Sequence, residues 1–198
     1  MRQIDYYLTV VSPWTYLAGS RPAEVAARHG AVLRYKPVDP SALFARTGGV
    51  ALPERHESRQ EYRLQELRRQ SVKRGMPLTL KPAFFPTNPA PAAYAIIAAQ
   101  EAGGGDLDGL VQSLCAACWS EEKNVADDAV ITECLSRAGF NPGLTMSGLM
   151  LGADLYGKYL EEARLAGVFG FPFFVVEGER FWGQDRIEDL DLFLAGKL

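Results

Sequence analysis

The first candidate for chemistry is Ser12, in the segment Ser12-Pro13-Trp14-Thr15. A serine followed by a proline is typical of a helix start, because proline is tolerated at the first helical position and the hydroxyl accepts a hydrogen bond from a free backbone N–H. The same hydroxyl can donate a hydrogen bond to a thiolate, and the positive end of a helix favours an anion. The segment therefore predicts either an ordinary helix cap or a site that ionises a thiol supplied by another molecule.

Two later segments could bind a peptide. Pro172 precedes an apolar run, and in a thioredoxin-like fold the proline at the entry to this strand normally follows a cis peptide bond, which proteins adopt almost only before proline. That bond would leave the N–H and C=O of Phe171 free to pair with an extended peptide, and the alternative is a structural proline without a ligand. Gln184 and Asp185 are predicted to cap a helix and to hold amino and carboxylate groups, the alternative being an ordinary Asp cap.

These residues need elements that bring them together, and such elements are predicted at both ends of the chain. Strands are predicted at Gln3–Val11, Val32–Val38, Phe173–Val176 and Arg180–Trp182, with one helix at Trp14–His29 that Pro22 kinks or breaks and another at Asp185–Leu194. Between these ends the patterns are helical, at residues 59–74, 91–102, 107–121, 127–138 and 149–166.

The predicted order is β-α-β, a long helical stretch, then β-β-α. This order predicts an α/β fold with a four-stranded mixed sheet, in the thioredoxin-like arrangement with a large all-helical domain inserted. Residues 1–39 and 167–198 would form the core, and residues 40–166 the helical insert.

In this arrangement a ligand binds beyond the carboxyl end of the first strand, at the start of the following helix. Thiol-disulfide oxidoreductases of this fold carry Cys-x-x-Cys there, whereas this chain has Ser12 and Thr15. A hydroxyl cannot form a disulfide, so dithiol redox chemistry at this position is excluded. The predicted ligand is glutathione, which would pair with Phe171, place its thiol at Ser12 and reach Gln184 and Asp185 with its γ-glutamyl end.

The segments together resemble the 2-hydroxychromene-2-carboxylate isomerases, which are relatives of the kappa-class glutathione transferases and of the DsbA family. The resemblance covers nearly the whole chain and is carried by Ser12 to Ala18, Arg59 to Leu67, Phe85 to Pro89, Val168 to Pro172 and Phe181 to Arg186. Two positions depart from the family pattern. Gln184 stands where relatives usually have asparagine, and Thr9 stands where many have an acidic residue.

The resemblance implies roles for individual residues. Ser12 would activate glutathione, Phe171 and Pro172 would pair with its backbone, and the segment Gly183, Gln184, Asp185 and Arg186 would hold its γ-glutamyl end. Asn88 would border the cleft from the helical part, and Trp14 is a further candidate for substrate binding. A homodimer is left open.

The resemblance also implies a reaction, the interconversion of 2-hydroxychromene-2-carboxylate and trans-o-hydroxybenzylidenepyruvate, or of a related aromatic keto acid. The glutathione thiolate would add to the conjugated double bond, the resulting single bond would rotate, and elimination would restore it as trans. A kappa-type glutathione transferase or peroxidase and a non-catalytic glutathione-binding protein are the alternatives.

The charge is unevenly spread. Residues 1–100 carry fourteen basic and seven acidic residues, and residues 101–198 carry seven and seventeen. Much of the positive charge lies in residues 55–74, interleaved with glutamates, which indicates a solvated helix face or a site for a small anion. Nucleic acid is disfavoured because the chain is acidic overall and has no recognition motif. Arg55, Arg59 and Arg63 are the candidates for binding a substrate carboxylate.

The composition and the cysteines limit the remaining classes. The chain has 198 residues, of which 47% are hydrophobic and 23% charged, as in a globular domain that carries a large insertion. No apolar run reaches the roughly 18 residues of a membrane span, and no signal peptide is recognisable, so we expect a cytoplasmic protein without a membrane partner. Cys115 and Cys118 lie inside a predicted helix and are expected to be buried apolar residues. Since no second ligand pair accompanies them, no metal is expected.

Overall fold

The computed structural model describes all 198 residues, and it contains four strands, ten α-helices and a single turn of 3-10 helix. The strands are β1 (Gln3–Leu8), β2 (Val32–Pro37), β3 (Phe173–Val176) and β4 (Glu179–Trp182). The helices are α1 (Pro13–Ala18), α2 (Arg21–Arg28), α3 (Pro40–Thr47), α4 (Glu57–Arg74), α5 (Ala90–Ala102), α6 (Leu107–Trp119), α7 (Asp128–Arg137), α8 (Leu144–Ser147), α9 (Leu149–Leu165) and α10 (Ile187–Leu194). None of these helices combines the length and the apolar character needed to cross a bilayer.

The four strands form one mixed sheet in the order β2-β1-β3-β4. β1 and β2 are parallel, whereas β3 is antiparallel to both β1 and β4. This confirms the predicted sheet. β1 ends at Leu8 and not at Val11, because the chain turns there and the Ser12 N–H donates to the Thr9 carbonyl at 3.1 Å.

The predicted helix after β1 is two helices, α1 and α2. The break comes at Gly19, which adopts a positive φ of 59° and whose N–H donates to the Tyr16 carbonyl. Pro22 lies in the first turn of α2, where a missing N–H costs no helical hydrogen bond. The prediction that Pro22 interrupts one long helix was therefore wrong in detail, because the glycine before it ends α1.

Helix α3 was not predicted, although its ends carry ordinary signals. The Asp39 carboxylate accepts a hydrogen bond from the Ala42 N–H at 2.9 Å, Pro40 occupies the first turn, and Gly48 ends the helix with a φ of 74°. Helix α3 places Phe44 with its ring centroid 6.3 Å from that of Phe171. A helix thus stands beside the predicted site where only a loop was expected.

Two hydrophobic clusters cover the two faces of the sheet. The larger joins Tyr6 and Phe174 of the sheet to α1, α2 and α10, and continues into α5, α6 and α7. The smaller joins Tyr7 and Phe173 to α3, α5 and α9. The Ala-rich helix α5 contributes to both. The division into residues 1–39 with 167–198 and residues 40–166 stays a prediction, and the apolar packing runs across it.

Candidate active site

Ser12 is the N-cap of α1, and its hydroxyl faces the loop that precedes β3. Its Oγ accepts a hydrogen bond from the Thr15 N–H at 3.4 Å and donates to the Phe171 carbonyl at 3.4 Å. Both distances exceed the ordinary range for such bonds, so both bonds are weak. The cap interpretation is therefore confirmed, and the half-buried hydroxyl keeps hydrogen-bonding capacity for another group.

The loop before β3 brings Phe171 and Pro172 against Ser12, and the bond between them is cis, as predicted. Phe171 is 7% exposed, yet its N–H donates to no group of the chain, and its carbonyl accepts only the long bond from Ser12. Most backbone donors of a folded chain are paired with the chain itself. The unpaired N–H therefore marks a place where a peptide carbonyl could bind.

Gly183 joins this loop from the other side. Its N–H donates to the Pro172 carbonyl at 2.9 Å, and it adopts a φ of 110° that favours glycine. A Cβ at this position would lie 2.4 Å from the Asp185 carboxylate oxygen, so the Asp185 side chain folds over the glycine. Ser12, Phe171, Pro172 and Gly183 thus form one continuous hydrogen-bonded arrangement.

The remaining residues of the γ-glutamyl segment differ in exposure, since one is buried and two are exposed. Gln184 is 3% exposed, and its amide is already used, since its oxygen accepts from Arg21 at 2.7 Å and its nitrogen donates to Gln70 at 3.2 Å. Asp185 and Arg186 are exposed and form an ion pair at 3.5 Å. The predicted caps of α10 were wrong, because α10 begins after Arg186 without a side-chain cap.

Thr15 occupies the second position of the site motif and is fully buried. Its hydroxyl has no hydrogen-bond partner in the chain, and neither has that of the buried Thr9. Both threonines therefore carry buried hydroxyls without a partner in the chain, and neither provides a thiol.

Trp119 anchors the loop between β1 and α1, and the sequence analysis did not single it out. Its indole N–H donates to the Val10 carbonyl at 3.1 Å, two residues before Ser12, and its ring packs at 4.9 Å from Phe85. The segment around Phe85 is therefore held next to the site by a residue of α6. Its position next to Cys118 was the only hint in the sequence, but Cys115 and Cys118 were interpreted as residues of the core.

The two other predicted substrate contacts lie at the edges of this arrangement. Trp14 is half-buried and packs against the larger hydrophobic cluster. Asn88 is exposed, and its side-chain oxygen accepts a hydrogen bond from the Ala90 N–H at 3.1 Å at the start of α5. Neither side chain contacts Ser12 or Phe171 through a hydrogen bond.

The three candidate arginines lie at and just before the first half of α4, and α4 packs against α1. Arg55 and Arg63 are half-buried, whereas Arg59 is exposed. Burial and, to a smaller extent, the nearby positive charge of Arg55 together lower the pKa of Arg63 to about 10. Burial and the charge of Arg59 lower the pKa of Arg55.

The three cysteines are free thiols in the helical part, and all are buried. Burial raises the pKa of Cys115 well above its ordinary value, that of Cys118 to about 12 and that of Cys134 to about 11. Since the thiolate is the reactive form, these groups are inert near neutral pH. This agrees with their interpretation as small core residues.

A model of the DSBA-like thioredoxin domain family matches residues 3–195. The chain belongs to this family. Its membership confirms the predicted thioredoxin-like core with a helical insertion.

Individual relatives of this DSBA-like protein agree with the resemblance found in the motifs. A 2-hydroxychromene-2-carboxylate isomerase from Sphingobium xenophagum is 27% identical over 198 residues, which cover 98% of each chain. A solved 2-hydroxychromene-2-carboxylate isomerase has a TM-score of 0.79 at 21% identity and covers 98% of this chain and 95% of that one. The cytosolic disulfide reductase DsbM from Pseudomonas aeruginosa, solved with GSH, has a TM-score of 0.68 at 18% identity over 98% of both chains.

Proposed function

We propose that the protein is a glutathione-dependent cis–trans isomerase that interconverts 2-hydroxychromene-2-carboxylate and trans-o-hydroxybenzylidenepyruvate or a related aromatic keto acid. The observation that carries the proposal is the pairing of the Ser12 hydroxyl with the Phe171 carbonyl beside an unpaired Phe171 N–H. The name of the Sphingobium relative supports the reaction, and the GSH in the DsbM structure supports the cofactor.

The residues present fit glutathione. An extended tripeptide needs a backbone donor and acceptor side by side, and Phe171 offers both. Its amino group needs a carboxylate, and the Asp185 carboxylate is exposed next to Gly183. Its thiol needs a hydrogen-bond donor, and the Ser12 hydroxyl donates only the weak bond to the Phe171 carbonyl.

Ser12 has one task in this proposal. When the peptide pairs with Phe171, the Ser12 hydroxyl turns its proton from the Phe171 carbonyl to the sulfur, which lowers the pKa of the thiol. Because the weak bond at 3.4 Å is all that is lost, the exchange favours the thiolate. Helix α1 has only six residues, so we assign the effect to the hydroxyl and not to a long helix dipole.

When bound, glutathione would supply a thiolate for reversible addition to the conjugated double bond, whose electron pair would move onto the keto oxygen and return on elimination, so that the bond could rotate in between. Ser12 stabilises that thiolate at the beginning of the cycle and receives it again at the end. Phe171 and Gly183 fix the peptide so that the sulfur stays at Ser12. The buried hydroxyl of Thr15 offers no second thiol, so the site cannot divert the sulfur into an internal disulfide.

A titration and an assay test this proposal together. Isothermal titration should show that glutathione binds at millimolar concentration or below, and the isomerisation should require glutathione. Glutathione should be recovered unchanged after many turnovers, whereas a transferase would consume one molecule for each product. Absence of binding at millimolar glutathione, or full activity without it, would overturn the proposal.

A further inference from the structure

One face of α4 carries partly or fully buried side chains at helical spacing. These residues recur every three or four positions, which places them on one side of the helix; they are Gln60, Arg63, Leu67, Gln70 and Arg74. Leu67 is fully buried in the larger hydrophobic cluster, which includes Leu17 of α1. This face, the inner face of α4, is therefore the one turned toward α1 and the site.

The inner face is tied to the proposed peptide site at one point. Gln70 accepts a hydrogen bond from the Gln184 amide, next to Gly183. Arg63 lies seven residues earlier on the same face, about 10 Å along the helix axis. Arg63 therefore stands two turns beyond the contact with the γ-glutamyl segment.

Arg63 differs from the paired arginines of this protein in having no carboxylate. On the outer side of the same helix Arg69 pairs with Glu66 at 2.5 Å, and Arg34 and Arg46 pair with Glu101 and Glu161. Only burial and the charge of Arg55 act on the pKa of Arg63, and both favour the loss of its positive charge. Half-burying a guanidinium beside a second cation is unfavourable unless an anion compensates.

Arg55 supplies the second cation. Its Nε donates to the Val50 carbonyl at 2.8 Å, which fixes the side chain and leaves the two terminal nitrogens for another partner. A guanidinium binds a carboxylate through two parallel hydrogen bonds, and its planar shape matches that anion. Arg63 and Arg55 thus form a cationic pair that has no carboxylate partner within the chain.

We propose that Arg63, together with the nearby Arg55, binds the carboxylate of the aromatic keto acid and so selects acids over neutral electrophiles. The inference rests on the proposed function, since it names the group that recognises the substrate of the same site. Arg59 is exposed and takes no part in the contact.

The test compares Arg63→Gln with Arg68→Gln, an exposed arginine of the same helix whose loss changes the charge equally. Each variant is titrated with trans-o-hydroxybenzylidenepyruvate and with its neutral methyl ester, in the presence and absence of glutathione. The Arg63 variant should bind the acid about 10- to 100-fold more weakly, because a charged hydrogen-bonding partner is lost. It should bind the ester as the unmodified protein does, and its affinity for glutathione should be unchanged.

Three results would overturn the inference. The first is equal weakening by Arg63→Gln and Arg68→Gln, which would indicate a general charge effect. The second is equal weakening for acid and ester. The third is a loss of glutathione affinity with the acid unaffected, which would assign Arg63 to a carboxylate of the peptide. If the unmodified protein binds no glutathione, the proposed function fails, and the titration of the acid alone still decides the role of Arg63.

Discussion

Two segments of this protein share one spacing, Ser12-x-x-Thr15 at the start of α1 and Cys115-x-x-Cys118 within α6. The first has no thiol, yet it follows the first strand of the sheet and touches the Phe171 carbonyl. The second has two thiols, yet both are buried and their pKa values are raised by burial. The two thiols therefore lie in the core, away from the candidate site, and the candidate site at Ser12 has no thiol of its own.

The position of a residue in this fold, more than its type, therefore determines which chemistry it can take part in. A thiol is reactive when its thiolate is stabilised and accessible. At Cys118 burial opposes the thiolate, whereas at Ser12 a hydroxyl with weak bonds is ready to stabilise one. The comparison predicts that the protein works on an external sulfur.

The largest effect should come from removing the hydroxyl of Ser12. Ser12→Ala should lower kcat/KM by roughly 10²- to 10³-fold, as the loss of one donor to a developing or bound anion does in other enzymes. Steady-state kinetics at saturating glutathione check this. Ser41→Ala, an exposed serine of α3, is the control and should be as active as the unmodified protein. If kcat/KM of the Ser12→Ala enzyme lies within a factor of three of that of the control, Ser12 does not have the proposed role.

The loop side of the site depends on Gly183. Gly183→Ala should destabilise the fold by about 1–3 kcal/mol, because alanine is strained at its φ of 110°, and should weaken glutathione binding. Gly178→Ala is the matched control, since Gly178 has a φ of 88° in the turn between β3 and β4 and nothing near its Cβ position. Urea unfolding should show similar losses for both, and titration should show weaker glutathione binding only for Gly183→Ala. Equal affinities would contradict the role of this loop.

The cysteine side of the comparison predicts a pH dependence of stability. The pKa of Cys118 is raised to about 12 in the folded protein, whereas an exposed cysteine thiol ionises at about pH 8.5. The stability that the buried neutral thiol provides is therefore complete below about pH 8.5 and is lost as the pH rises toward 12. Cys118→Ala should reduce the fall in unfolding free energy between pH 8 and 10.5 by on the order of 1–2 kcal/mol. Urea titrations at the two pH values measure the unfolding free energy. If its fall between them is the same in the variant and the unmodified protein, Cys118 ionises in the folded state.

The smallest effect is expected on activity when thiols are removed from α6. Cys115→Ala with Cys118→Ala should leave kcat/KM at saturating glutathione within about twofold, because neither thiol lies at the site. In the unmodified protein the three free cysteines should resist a disulfide reagent until denaturant is added. Rapid labelling of the native protein would show that the thiols are accessible, and loss of turnover in the double variant would show that they are needed for activity. Either result would contradict the prediction.

The ends of the chain were predictable because local patterns determine them. The parallel pair β1 and β2 and the hairpin of β3 and β4 follow from strand patterns. The cis bond before Pro172 was predicted from the place of this proline in a thioredoxin-like fold. Ser12 was found from a local pattern, since a serine before a proline marks a helix start.

The rest depends on contacts between residues that are distant in sequence. Gln184 was expected to face a ligand, but Arg21 and Gln70 hold it inside, and no local pattern reveals that pairing. Trp119 supports the Ser12 loop from 109 residues away. Helix α3 is different, because its Asp39 cap and Gly48 stop were readable in the sequence. The residues of the site were therefore limited by long-range polar pairing, whereas α3 was missed although its local signals were present.

The central claim is that Ser12 promotes the ionisation of a thiol that belongs to a bound molecule and not to the protein. The pKa of bound glutathione tests this claim most directly. The thiolate absorbs in the ultraviolet, so a difference spectrum of the complex against pH gives the pKa of the bound thiol in the unmodified protein and in Ser12→Ala. The account predicts a pKa at least one unit below the roughly 8.5 of a free cysteine thiol, returning toward that value in Ser12→Ala. A bound thiol with an unshifted pKa, or an equal shift in both proteins, would contradict it.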